Sequence, residues 1–280
     1  MQIKDFPIAV SGSAGQAHLT AYIIDSDPSL FIKKRPLVLI CPGGGYRFVS
    51  AREAEVFALQ FTAMGYHAAV LTYSVSPAVY PTQLLEMGAA WKLLRKYAGE
   101  WNILTDKIVV LGCSAGGHLA ASYSVFHGED FLTRATGLTE EELRPAGMIL
   151  CYPVITSGEH AHRDSFAALL GCTDETLQAS PLLEKVSLEK QVNAQTPPAF
   201  LWHTFTDDLV PVENSLLFAA ALRAENISTE LHIFPEGGHG LGLANTFSLD
   251  CSGWGIQEQC QQWLPLAQTW LRLKVGLGEA

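Results

Sequence analysis

Five short, largely apolar runs limit what this chain can fold into: residues 37–41, 67–75, 108–111, 148–152 and 199–203. Apolar runs of that length suit strands buried on both faces of a sheet. Segments of helical period lie between them. Phe57, Phe61 and Met64 recur at i, i+4 and i+7 and stop at Gly65. Leu84, Met87, Trp91 and Leu94 line one face of a segment that ends near Lys96. Residues 115–126, 212–224 and 257–274 read as further helices, the last with Pro265 inside it, which predicts a kink. Ser50-Ala-Arg-Glu53 has the form of a capping box opening a helix. Residues 228–234 alternate partially and read as a last strand, and part of the stretch before residue 37 reads as an antiparallel edge.

Alternating strands and helices predict the α/β class: a mostly parallel central sheet with helices on both faces. Residues 153–198 break the rhythm and read as a small, partly helical insertion over the active site. No linker or internal repeat divides the sequence, so residues 1–280 read as one domain. A chain of this length can bury one continuous core.

Chemistry concentrates at the ends of the predicted strands. Gly112-Cys-Ser-Ala-Gly116 lies between a buried strand and a helix, where a Gly-x-Ser-x-Gly pattern makes a tight turn that lifts a serine hydroxyl above the sheet. Ser114 is therefore the candidate nucleophile. A serine hydroxyl needs a base. Of nine histidines, His239 in Pro235-Glu-Gly-Gly-His-Gly240 directly follows the last predicted strand, in a loop whose glycines allow close approach. His118, one helical turn after Ser114, reads as packing or capping, and His203 and His232 read as structural. His160 and His162 form a pair without a third metal ligand.

The base needs an acid to fix its tautomer. Thr206-Asp-Asp-Leu-Val-Pro211 offers Asp207 and Asp208; one of them faces the histidine and the other caps the helix near Val212. The order Ser, Asp, His is that of the α/β-hydrolase fold. Pro42-Gly-Gly-Gly-Tyr46 supplies amides unobstructed by side chains, which with the Ala115 amide would form an oxyanion hole. No Lys-Ser/Thr follows these glycines, which argues against a nucleotide site. Tyr46, Tyr73 and Trp254 are aromatic candidates for shaping an alcohol site.

The net charge of −10 and the absence of any Lys/Arg cluster longer than residues 33–35 argue against a nucleic-acid partner. No apolar run reaches the length of a membrane span, and residues 1–10, with Lys4 and Asp5, lack a signal-peptide core. Six cysteines without metal-ligand spacing read as free thiols in a reducing compartment, hence a cytoplasmic expectation.

Four segments, CPGGGY, GCSAGGHLA, HTFTDDLVPVENS and PEGGHG, together resemble the bacterial α/β-hydrolases related to acetyl esterases and acetylxylan esterases, the xylanase-associated sugar-ester hydrolases. The likeness runs from about Pro36 to the C-terminal helix. It implies that Asp207, four residues before Pro211, is the acid, and that Gly44 and Gly45 carry the oxyanion amides. Many relatives begin the glycine loop with His; here Cys41-Pro42 precedes it, a change that leaves the amides in place. Lipase-like carboxylesterases with similar motifs carry a substantial N-terminal cap, for which the roughly 40 residues before the loop leave little room. The expected activity is a cofactor-free, metal-free serine esterase acting on short-chain esters, acetyl first, of a small-molecule or oligosaccharide alcohol. A peptidase or amidase and an inactive binding protein are the rival readings. A homodimer is compatible with the sequence, which does not specify the oligomeric state.

Overall fold

The computed structural model describes residues 1–279. Eight strands form one sheet: β1 (Gln2–Pro7), β2 (His18–Ile23), β3 (Arg35–Cys41), β4 (His67–Thr72), β5 (Ile103–Cys113), β6 (Gly147–Cys151), β7 (Ala199–Thr204) and β8 (Thr229–Phe234). Their spatial order is β1-β2-β4-β3-β5-β6-β7-β8. β1 and β2 pair antiparallel with each other, and β2 pairs antiparallel with β4. Every other neighbour is parallel. Among the described residues nine helices accompany the sheet: α1 (Glu55–Ala63), α2 (Thr82–Lys96), α3 (Ala98–Trp101), α4 (Ala115–Phe126), α5 (Asp130–Thr136), α6 (Glu140–Leu143), α7 (Arg163–Leu170), α8 (Glu213–Ala224) and α9 (Trp263–Lys274).

The inner strands are apolar through their central stretches because both faces are covered there. Along β3, Leu37, Leu39 and Cys41 join one core while Val38 and Ile40 join the other. β5, β6 and β7 divide the same way: Ile108, Met148 and Ala199 fall on one side, Val109, Ile149 and Phe200 on the other. This is the period-two alternation of a pleated strand, hidden in the sequence because neither side meets water. Leu84, Met87 and Trp91 of α2, Leu119 of α4 and Phe218 of α8 pack on the first face. Phe57 and Phe61 of α1 and Trp263, Trp270 and Leu271 of α9 pack on the second.

Two local expectations are corrected. The segment 257–274 is not one kinked helix. Residues 258–262 form a 3₁₀ turn and α9 starts at Trp263, so Pro265 sits in the first helical turn, where no amide is required to bond. Residues 50–53 are not a capping box. Ala51–Glu53 is a 3₁₀ turn without a side-chain cap, and Glu53 points inward.

Residues 153–198 hold α7 and two 3₁₀ turns, at Leu177–Ala179 and Leu188–Lys190. Buried Asn214 of α8 fastens them: its Oδ1 accepts from the amides of Ile155 (2.9 Å) and Thr156 (3.0 Å), and its Nδ2 donates to the His160 carbonyl (2.9 Å). All six cysteines are free. Among the described residues no helix is long and apolar enough to cross a membrane.

The tightest crossing lies between α4 and the ends of β3 and β5. A Cβ on Gly116 would come within 2.1 Å of the Cys41 carbonyl oxygen, and one on Gly112 within 2.1 Å of the Gly116 oxygen. Backbone lies on both sides, so neither contact relaxes by a rotamer change. Gly116→Ala should therefore cost about 3 kcal/mol of stability, seen as a lower midpoint in urea denaturation.

Candidate active site

The loops that leave the carboxyl ends of β3, β5, β7 and β8 meet above the sheet, the usual place for ligands in parallel α/β folds. Ser114 follows β5 with φ +54° and ψ −120°, a left-handed conformation that a residue with a side chain adopts only when its surroundings impose it. Here the surroundings are its own bonds. The Ser114 amide donates to Cys151 O (3.0 Å), and its carbonyl accepts from His118 N (3.1 Å) and Val154 N (3.1 Å).

His239 lies within 2.7 Å of Ser114 Oγ through Nε2 and within 2.7 Å of Asp207 Oδ2 through Nδ1. With the proton on Nδ1, the ring donates to Asp207 and offers Nε2 as acceptor to the serine hydroxyl. Asp207 is buried and fully partnered. Its Oδ1 accepts from Leu209 N (3.0 Å) and Val210 N (2.9 Å), and His203 Nε2 stands 3.2 Å from Oδ2. Burial pushes the Asp207 carboxyl upward, but hydrogen bonds from His203 and His239 outweigh it and hold the group well below the usual carboxylate range. Asp208 is exposed. It does not cap α8, whose N-terminal flank at Val212 has no side-chain cap, so that expectation is corrected.

The glycine loop runs against the serine: a Cβ on Gly43 would come within 3.0 Å of Ser114 Cβ. Gly44 has φ +131°, and a Cβ there would collide with the Phe48 carbonyl at 2.0 Å. Among the described residues no protein acceptor takes the amides of Gly44, Gly45 or Ala115. Gly44, Gly45, Ser114 and His239 line one cleft of about 550 Å³. Arg47 of the glycine loop and Asp164 of the insertion close its outer wall as a bidentate pair, at 2.7 and 2.5 Å.

Several participants have no signal in the sequence pattern. Buried Glu53 accepts from the Gly43 amide (2.7 Å) through Oε2 and from the Tyr152 hydroxyl (2.6 Å) through Oε1. Tyr152 Oη in turn accepts from Gly242 N (2.9 Å), and its ring meets His239 edge-on with centroids 5.2 Å apart. One carboxylate thus ties the glycine loop to the histidine loop. His203 is structural in a specific way: Nδ1 contacts Ser215 Oγ and Nε2 donates to Val210 O, both at 2.8 Å, which holds it beside Asp207.

Two further histidines lie close to the site. His118 is buried between Tyr46 Oη and Val186 O, and burial lowers it to about 4. His162 lines the cleft, lowered first by burial and then by the nearby His239. Tyr46 and Tyr73 are each 1% exposed and belong to the core, whereas Trp254 stands at the surface beside the histidine loop. Among the described residues no group of three or more His, Cys, Asp or Glu side chains is arranged to hold a metal.

The profile of the BD-FAE family matches residues 27–222, most of the sheet together with Ser114 and Asp207. The chain belongs to the BD-FAE family. It is 40% identical over 247 residues to endo-1,4-beta-xylanase B of Butyrivibrio fibrisolvens, covering 86% of this chain and 37% of that protein. It is 29% identical over 210 residues to the acetylxylan esterase of Xylanibacter ruminicola, covering 74% and 41%. The chain thus spans about two fifths of the length of these curated relatives. Among solved structures, an acetyl ester-xyloside bifunctional hydrolase from Caldicellulosiruptor lactoaceticus superposes with a TM-score of 0.81 at 37% identity, over 97% of this chain and 93% of that one. A carboxylesterase from Lactobacillus plantarum superposes with a TM-score of 0.84 at 29% identity, over the whole of both chains. The α/β-hydrolase fold follows from these likenesses.

Two outcomes follow from the buried carboxylates. Glu53→Gln keeps the shape but sets an amide N–H₂ against one of two donors, so stability should fall by about 1–3 kcal/mol, and ester turnover should fall mainly in kcat, checked by melting and steady-state kinetics. Asp207 is depressed in the folded state, so its stabilisation is present above the ordinary Asp pKa and is lost as pH falls towards the folded value. The stability difference between wild type and Asp207→Asn should stay level from about pH 7 to pH 5 and shrink below about pH 4, read by urea denaturation across pH.

Proposed function

We propose that the chain is a serine esterase that removes short acyl groups, acetyl first, from carbohydrate alcohols presented as small molecules or oligosaccharides. The observation that carries this reading is the unbroken relay from Ser114 Oγ through His239 to Asp207, with both contacts at 2.7 Å. His239 Nε2 takes the serine proton as Ser114 Oγ attacks the ester carbonyl. The carbonyl oxygen becomes an oxyanion held by the amides of Gly44, Gly45 and Ala115. The tetrahedral centre collapses, the imidazolium gives its proton to the departing alkoxide, and an acyl-serine remains. Water enters, His239 takes its proton, and the second tetrahedral centre releases the carboxylic acid and restores the serine. Asp207, ionised throughout, stabilises the imidazolium in both halves.

Glu53 is a positioning residue in this scheme, since it holds the glycine loop through Gly43 and leaves the next two amides to the substrate. The carbohydrate alcohol and acetyl preference are supported by the relatives, an acetylxylan esterase and an acetyl ester-xyloside hydrolase by name. We further propose that residues 1–280 act as one domain, with the insertion at 153–198 forming part of the cleft wall through His162 and Asp164.

A fluorophosphonate probe should label wild type at Ser114 and leave Ser114→Ala unlabelled. Ser114→Ala and His239→Ala should each lower kcat on an acetyl ester by roughly 10⁴–10⁶ with folding intact. Asp207→Asn should cost nearly as much and Asp208→Asn far less. Rates on p-nitrophenyl acetate should exceed those on the octanoate and on an aminoacyl anilide. An unlabelled wild type, or faster turnover of the anilide, would defeat the esterase reading.

A further inference from the structure

Two side chains beside the histidine loop, Arg52 in the cleft wall and Trp254 next to it, have no part in acyl transfer. Arg52 lines the cleft, and its guanidinium is fixed from three directions. Nε–H donates to the Ser248 carbonyl at 2.6 Å. The group lies over the indole of Trp254, with Cζ 5.6 Å from the ring centroid. Nη2 is buried against Gly255, where any Cβ would come within 2.6 Å of it. Among the described residues Nη1 takes no protein acceptor, which leaves it as the open donor of a pre-set arginine.

Trp254 is 41% exposed even with the guanidinium over it. Its loop is rigidly tied: the Trp254 amide donates to Asp250 Oδ1 (2.9 Å), and the Asp250 amide donates to the Trp254 carbonyl (3.0 Å). The indole lies directly against Gly238, the residue before His239, where a Cβ would sit 3.0 Å from Cζ2. A side chain at 238 would push the ring away from the imidazole loop.

Position assigns these groups to one half of an ester. The imidazolium of His239 delivers its proton to the departing alcohol, so the alcohol lies on the His239 side, while the acyl oxygen faces the glycine loop. A partly exposed indole with a fixed, charged donor laid over it suits a hydroxylated sugar ring, whose C–H groups pack on the uncovered part of the indole while a hydroxyl accepts from the arginine. We propose that Arg52 and Trp254 form the subsite for the sugar ring of the leaving alcohol, a specificity site that rests on the esterase reading above. Both groups are held before substrate arrives, so binding orders little that is not already ordered.

The test uses Trp254→Ala and Arg52→Gln, with kcat and KM measured on a mono-O-acetylated methyl xylopyranoside and on ethyl acetate, whose alcohol has neither ring nor spare hydroxyl. Each variant should raise KM for the sugar acetate by about tenfold, while kcat/KM on ethyl acetate falls several times less. Thermal melts confirm that both variants fold; Trp254 is a surface ring, so its variant keeps the comparison open if Arg52→Gln is destabilised. Equal falls on the two substrates, or an unchanged sugar-acetate KM in either folded variant, overturns the subsite while leaving the esterase standing. A wild-type protein that cleaves ethyl acetate but not the sugar acetate removes the carbohydrate reading, and the subsite with it.

Discussion

The crossing of α4 over the ends of β3 and β5 is the contact on which the site depends. Gly112 and Gly116 let three backbone segments meet at distances that no side chain tolerates. That closeness forces the chain through a left-handed residue at Ser114 and places its hydroxyl above the sheet rather than within it. Strain of about 1–3 kcal/mol at such a residue persists only where the surroundings over-determine it. Here they do, through two amides on the serine carbonyl and the Cys151 carbonyl on its amide.

Two buried carboxylates then organise the loops around that fixed point. Asp207 receives two backbone amides and two imidazoles. Glu53 receives one backbone amide and one phenol. Among the described residues neither is paired with a Lys or Arg; each is stabilised by directed donors, which fix geometry more strictly than a flexible ion pair does. The histidine is consequently held from both sides, by Asp207 along its plane and by Tyr152 against its edge.

Much of this was legible in the residues. Runs apolar on both faces announced a parallel sheet, and Gly-x-Ser-x-Gly between strand and helix marked Ser114. His239 followed from its place after the last strand. The pattern alone did not separate Asp207 from Asp208, because the choice depends on where His203 and His239 lie in space. Glu53 was illegible for a physical reason: Ser-x-x-Glu before a helix is a locally sensible cap, but the amide of Gly43, ten positions away, is a better partner for a buried carboxylate than an exposed helix end. The start of α9 was misplaced because a 3₁₀ turn and an α-helix carry similar apolar spacing over five residues.

The Arg47–Asp164 pair differs in kind from these buried fastenings. Both partners are more than half exposed, and an ion pair in water contributes no more than about 1 kcal/mol and weakens as salt rises. The chamber therefore has a floor that is indifferent to ionic strength and a rim that is not.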